Sequence, residues 1–114
     1  MNIENTKAQM RKGVLEFCIL SILSNDDAYV SDIIKRLKDA QLIVVEGTLY
    51  PLLNRLKNAG LLNYRWEESI SGPPRKYYGL TEQGKLALIE LRASWKDLEN
   101  TVSQLHTNQI LNHE

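Results

Sequence analysis

The chain has 114 residues, 43% of them apolar, with 14 basic and 14 acidic side chains, two histidines and one cysteine. That is the size of one globular domain, and the charged, Gly and Pro contents exclude disorder, collagen-like repetition and low complexity. Cys18 is alone and cannot form an internal disulfide, and His106 and His113 lie too far off to build a zinc cluster with it, so a reducing compartment and a protein without metal or cofactor are expected.

The zero net charge hides an uneven distribution. Residues 1–13 carry three basic and one acidic side chain (+2), residues 14–46 three and six (−3), residues 47–81 five and two (+3), and residues 82–114 three and five (−2). Between Gly47 and Trp66 stand Arg55, Lys57 and Arg65 with no acidic residue, a local field fit for a polyanion or simply a solvated face.

At the N-terminus Arg11 and Lys12 precede the apolar run Val14 to Leu23, which imitates a secretory signal. Glu16 interrupts the run, Ser24-Asn25-Asp26-Asp27 offers no cleavage site, and about ten residues fall short of the roughly 20 that span a bilayer. A cytoplasmic protein without membrane contact is expected. The run reads instead as a core helix from Met10 to Ser24, with Cys18 packed inertly among aliphatic neighbours.

A second helix is predicted after Asp26-Asp27, where Val30, Ile33, Ile34 and Leu37 repeat at i, i+3, i+4, i+7. Ala40 to Val45 forms a break. Leu49, Leu52, Leu53 and Leu56 then repeat the same spacing in a third helix that stops at Ala59-Gly60. Its outward face carries Thr48, Tyr50, Pro51, Asn54, Arg55 and Asn58, side chains that bond phosphates and base edges. Pro51, lacking an N–H, belongs near the helix start.

After Gly60 the period changes to two: Leu62, Tyr64 and Trp66 face one way, Asn63, Arg65 and Glu67 the other. Ser69 to Pro74 reads as a loop, and Arg75 to Leu80 as a returning strand that delivers Arg75 and Lys76. Thr81 caps a final helix from Glu82 to about His106, with a frayed tail from Asn108 to Glu114. Within it Leu88, Leu91, Trp95, Leu98, Val102 and Leu105 form a heptad seam. At 1.5 Å per residue this helix measures about 37 Å, whereas a domain of this length has a radius of gyration near 13 Å. It must project, and a two-fold homodimer through the seam is the economical solution; burial of Trp95 within the monomer is the alternative.

The order of elements predicts a mainly α fold with a small β-hairpin: a winged helix-turn-helix DNA-binding domain over residues 1–81 and a C-terminal dimerisation helix over residues 82–114. Thr48, Tyr50, Asn54 and Arg55 are the candidate base-reading residues, and Arg75 and Lys76 the wing's phosphate contacts. Trp66 and Trp95 are candidates for a flat aromatic effector pocket between subunits, or both serve packing alone. No nucleophile, base and orienting group cluster, and no Gly-rich phosphate loop appears, so the chain is not read as an enzyme. The competing class is a winged-helix module that binds a protein and has lost DNA, for which neutral overall charge is the best argument.

Three stretches carry a resemblance: Arg11-Lys12-Gly13, the segment from Gly47-Thr48-Leu49-Tyr50-Pro51 to Asn54-Arg55-Leu56 with Gly60, and Pro74-Arg75-Lys76-Tyr77-Tyr78-Gly79-Leu80-Thr81-Glu82-Gln83-Gly84. Together they resemble the PadR family of bacterial transcriptional regulators, over about residues 10 to 105. The resemblance implies a dimeric DNA-binding regulator, usually a repressor, whose third helix and wing touch an operator and whose last helix makes the dimer, with small, often aromatic, effectors. Two departures stand out: the tip Ser69 to Pro73 holds no basic residue, and Gly79 stands where the family commonly has a larger one.

Overall fold

Helix formation begins earlier than the apolar pattern predicts. Residues 3–13 supply few core side chains, yet most of them (Glu4, Lys7, Ala8, Gln9, Met10, Arg11, Lys12) are good helix formers, and Asn2 caps them by accepting hydrogen bonds from the amides of Glu4 (3.0 Å) and Asn5 (3.3 Å). The computed structural model describes residues 2–112, with side chains through residue 106. Its elements are α1 (Ile3–Asn25), β1 (Ala28–Tyr29), α2 (Val30–Asp39), α3 (Glu46–Asn58), β2 (Leu62–Ser69), β3 (Gly72–Leu80) and α4 (Glu82–Asn112). The helix of the expected tail continues through Asn112; His113 and Glu114 lie outside the described residues.

Asp26-Asp27 do not start α2. The chain first runs extended as β1, pairing Ala28 with Tyr78 and Tyr29 with Tyr77, so the expected hairpin is a three-stranded antiparallel sheet in the order β1-β3-β2. The start of α2 is fixed instead by Asp32, which accepts from the amide of Tyr29 at 3.1 Å, half of a capping box. At the other end Gln41 adopts φ 72°, and the amides of Gln41 and Leu42 bond the carbonyls of Lys38 (2.9 Å) and Leu37 (2.8 Å). The same closure ends α3 at Gly60, with φ 82°, where a left-handed residue is expected to be glycine.

α3 begins at Glu46, three residues before its first core leucine, so Pro51 is the sixth helical residue rather than one of the first turn. Its missing N–H leaves the Gly47 carbonyl without the usual donor one turn ahead. The wing differs too. Pro73 and Pro74 predict a loop, but β3 includes both; β1 covers β3 only at Tyr77 and Tyr78, and on the β2 side the two prolines lie between the pairs Glu67–Arg75 and Ser69–Gly72, where the ladder is irregular and tolerates a missing amide. The register slips between Glu67 and Ser69, and Ile70 and Ser71 are left to turn the chain.

One core joins the elements: Ile19 and Leu20 of α1, Ile33 of α2, Leu49 and Leu53 of α3, and Leu62 and Tyr78 of the sheet are almost fully buried. The predicted leucine and isoleucine stripes of α2 and α3 meet there. Burial pushes the Tyr78 phenol above its ordinary value, and pushes the Cys18 thiol up as well, so both stay neutral near pH 7.

α4 is anchored only at its base. Leu88, expected in the seam, is 3% exposed and belongs to the chain's own core, while Gly84 sits so close under the Leu61 carbonyl that a side chain would overlap it. Beyond that point exposure climbs from 37% at Leu91 through 42% at Trp95 to 65% at Leu105, with Leu98 and Val102 between them. The boundary expected at residues 81/82 therefore falls between elements that pack together, and the projecting arm starts near Leu91. The molecule measures 63 × 31 × 22 Å with a radius of gyration of 17.2 Å, the elongation that arm produces. Among the described residues no helix is long and apolar enough to cross a membrane.

Candidate nucleic-acid interface

α3 places its polar residues by arithmetic. With Leu49, Leu53 and Leu56 buried and 100° per residue, Pro51, Asn54 and Asn58 point most directly outward. Tyr50 and Lys57 occupy one shoulder of the helix, Thr48 and Arg55 the other. The four candidate readers are thus all exposed but look in different directions.

The Tyr50 shoulder faces the wing across a cleft of about 320 Å³ lined by Tyr29, Ser31, Glu46, Tyr50, Trp66, Arg75 and Lys76, among others. Arg75 lies 3.9 Å above the Tyr29 ring and donates to the Ser31 hydroxyl at 3.4 Å. The Lys76 ammonium sits 4.5 Å from the Tyr64 ring centre and 5.6 Å from that of Trp66; Lys57 approaches Tyr64 from α3 at 5.4 Å. Aromatic faces orient a cation without cancelling its charge. Among the described residues no carboxylate forms an ion pair with Lys57, Arg75 or Lys76.

The other shoulder is electrically different. Arg55 forms an ion pair with Glu16 of α1. Nearby, Arg11, Lys12, Leu15, Val45 and Thr48 line a shallower cleft of about 240 Å³. Arg11 and Lys12 were visible in the sequence as part of a motif, but only the fold brings them beside the start of α3.

Arg65 is also compensated. Its guanidinium bonds Glu67 at 2.7 Å and Asp27 at 3.0 Å and lies 4.5 Å from the Tyr77 ring centre; those two bonds, the Glu67 one foremost, raise its already high pKa. The departure at Gly79 now has a cause, since the Asp27 carboxylate fills the space a Cβ would take. Of the three cations between Gly47 and Trp66, two therefore meet carboxylates from elsewhere in the chain, and the uncompensated field shifts toward Lys57 and the wing.

The two tryptophans are placed apart in their contacts. Trp66 packs edge-on to Tyr64 (5.9 Å between centres) at the wing cleft, whereas Trp95 lies beside Phe17 of α1 (6.3 Å) at the base of the arm.

Residues 19–90, well over half of the chain, match the transcriptional regulator PadR-like family. The chain is 62% identical to a solved PadR-like transcription factor from Bacteroides fragilis, with a TM-score of 0.76 and coverage of 89% of this chain and 98% of that one. It is 36% identical to a PadR family transcriptional regulator from Eggerthella lenta, with a TM-score of 0.83 and 90% of both chains covered. It also shares 32% identity over 93 residues with the transcriptional regulator YqjI of Escherichia coli (strain K12), covering 79% of this chain but only 43% of that protein. A winged helix-turn-helix body, the polar face of α3 and a long terminal helix agree with these likenesses: the chain belongs to the PadR-like family of transcriptional regulators.

Proposed function

We propose that the chain is a homodimeric, sequence-specific DNA-binding regulator that represses transcription by occupying an operator in the cytoplasm. The observation that carries this reading is the pairing of an outward polar helix face with uncompensated cations on the wing beside it. α3 enters the major groove, with Asn54 directed at base edges and Thr48 and Tyr50 at the groove walls. Arg75 and Lys76 hold the backbone without reading sequence. The seam from Leu91 through Trp95, Leu98 and Val102 to Leu105 joins two copies, which places two recognition helices on two half-sites.

Repression would be relieved by a small aromatic effector at the subunit junction, where Trp95 and Phe17 offer flat apolar faces; Trp66, at the wing cleft, is assigned instead to the wing's packing. No catalytic step is assigned. Nuclease footprinting on the DNA upstream of the protein's own coding sequence tests the reading: two protected half-sites about one helical turn, roughly 34 Å, apart support it. No protection at low salt, together with specific capture of a protein ligand, supports the protein-interaction alternative.

A further inference from the structure

The DNA-binding reading leaves one charged contact unused. Glu16 is the acidic group in an otherwise apolar stretch of α1, its side chain only 29% exposed, and its ion-pair partner is Arg55, whose side chain remains 69% exposed. α3 otherwise packs on α2 and β2. The pair is thus a tie between α1 and the shoulder of α3 that faces away from the wing. We infer that Arg55 serves DNA binding through Glu16, fixing the tilt of α3 on the body, and is a positioning residue rather than a base or phosphate contact.

Three physical points favour this assignment, which rests on the DNA-binding reading. A carboxylate that is mostly withdrawn from water needs a cation, and among the described residues Arg55 is the one that pairs with it. A guanidinium paired with a carboxylate has part of its donor edge taken and its charge offset, so it adds less to a phosphate or guanine contact than a cation without such a partner. The shoulder position also turns Arg55 well away from the outward line of Pro51, Asn54 and Asn58. Lys57, on the other shoulder and in no ion pair among the described residues, is left to serve the electrostatic role.

The sign of one substitution separates the possibilities. Glu16→Gln removes a negative charge next to a DNA-binding helix. Electrostatics alone would tighten binding to a polyanion, whereas loss of a positioning pair weakens it. Fluorescence anisotropy reads this with two labelled duplexes, one spanning the protected upstream region and one of random sequence. Glu16→Gln should weaken binding to the protected sequence about 2- to 5-fold, the scale of a partly exposed ion pair. Arg55→Glu, which adds repulsion from Glu16, should weaken it more than about tenfold, and the swap of Glu16→Arg with Arg55→Glu should return it to within about threefold of the parent. Arg55→Gln should leave the slope of log affinity against log salt unchanged, whereas a lost phosphate contact lowers it by about 0.9.

Tighter or equal binding by Glu16→Gln, a swap no better than Arg55→Glu, or a reduced salt slope would each overturn the inference. If circular dichroism shows that the swap does not fold, Glu16→Gln with Arg55→Gln decides: a double variant no weaker than either single one supports the pair, and additive losses overturn it. A parent that binds neither duplex rejects the DNA reading and this inference with it; a parent that binds while the swap fails rejects only the role of the pair.

Discussion

The winged-helix body and the far part of α4 treat large apolar side chains in opposite ways. Leu49, Leu53 and Tyr78 of the body are at most 1% exposed, whereas Leu98, Val102 and Leu105 of α4 stand at 58–65%. Both stretches repeat their apolar residues at helical or strand spacing. Periodicity fixes which face must be covered and says nothing about what covers it: the body's stripes close on one another, whereas the seam of α4 meets α1 only as far as Trp95 and stays exposed from Leu98 to Leu105 among the described residues.

Making the seam polar should have the largest effect. Leu91→Asp with Leu98→Asp should convert the proposed dimer to monomer in sedimentation, with binding to the protected duplex reduced by two or more orders of magnitude as the second half-site is lost, while the body keeps its helical circular dichroism. A folded double variant that remains dimeric would show that other surfaces hold the subunits. In the body the converse change is Leu53→Ala, which opens a cavity under α3 and should lower unfolding free energy by about 2–5 kcal/mol in urea titration. If the loss is much smaller, the leucine stripe is not closed by its own chain.

Much of this was legible in the sequence, for identifiable reasons. The stripes from Val30 to Leu37 and from Leu49 to Leu56 are local patterns with a period of 3.6, and their helices appear with the expected core. β1 is not legible, because two residues carry no period and their pairing with Tyr77 and Tyr78 spans 48 and 50 positions. The strand at Pro73-Pro74 is hidden because proline signals a loop, and the irregular ladder that admits it depends on pairing with β2. The candidate site was half legible. The polar face of α3 and the wing cations follow from chain order, but the compensation of Arg55 by Glu16 and of Arg65 by Asp27 crosses 39 and 38 positions and exists only in three dimensions.

That compensation leaves the wing cations to meet the DNA backbone in the proposed function. Arg75→Ala with Lys76→Ala should weaken specific and random duplexes alike by roughly tenfold, and lower the salt slope by about 0.9 for each phosphate contact removed. An unchanged slope would reassign the pair to hairpin packing on Tyr29, Tyr64 and Trp66. The smallest effect concerns the end of α2. Gln41 holds the left-handed conformation that Gly60 holds at the end of α3. Gln41→Gly should therefore stabilise the body by a few tenths to about 1 kcal/mol, read as a rise of a few degrees in melting temperature. A lower melting temperature would mean that the Gln41 side chain supplies more than the strain costs.

In the proposed function the exposed seam and the outward helix face act together, two chains to one operator. Sedimentation velocity of a labelled duplex spanning the protected upstream region, titrated with the chain at low salt, tests it most directly. A complex of two chains per duplex should form in one step and dissociate as salt rises. One chain per duplex, or a duplex that sediments free at all protein concentrations, would contradict it.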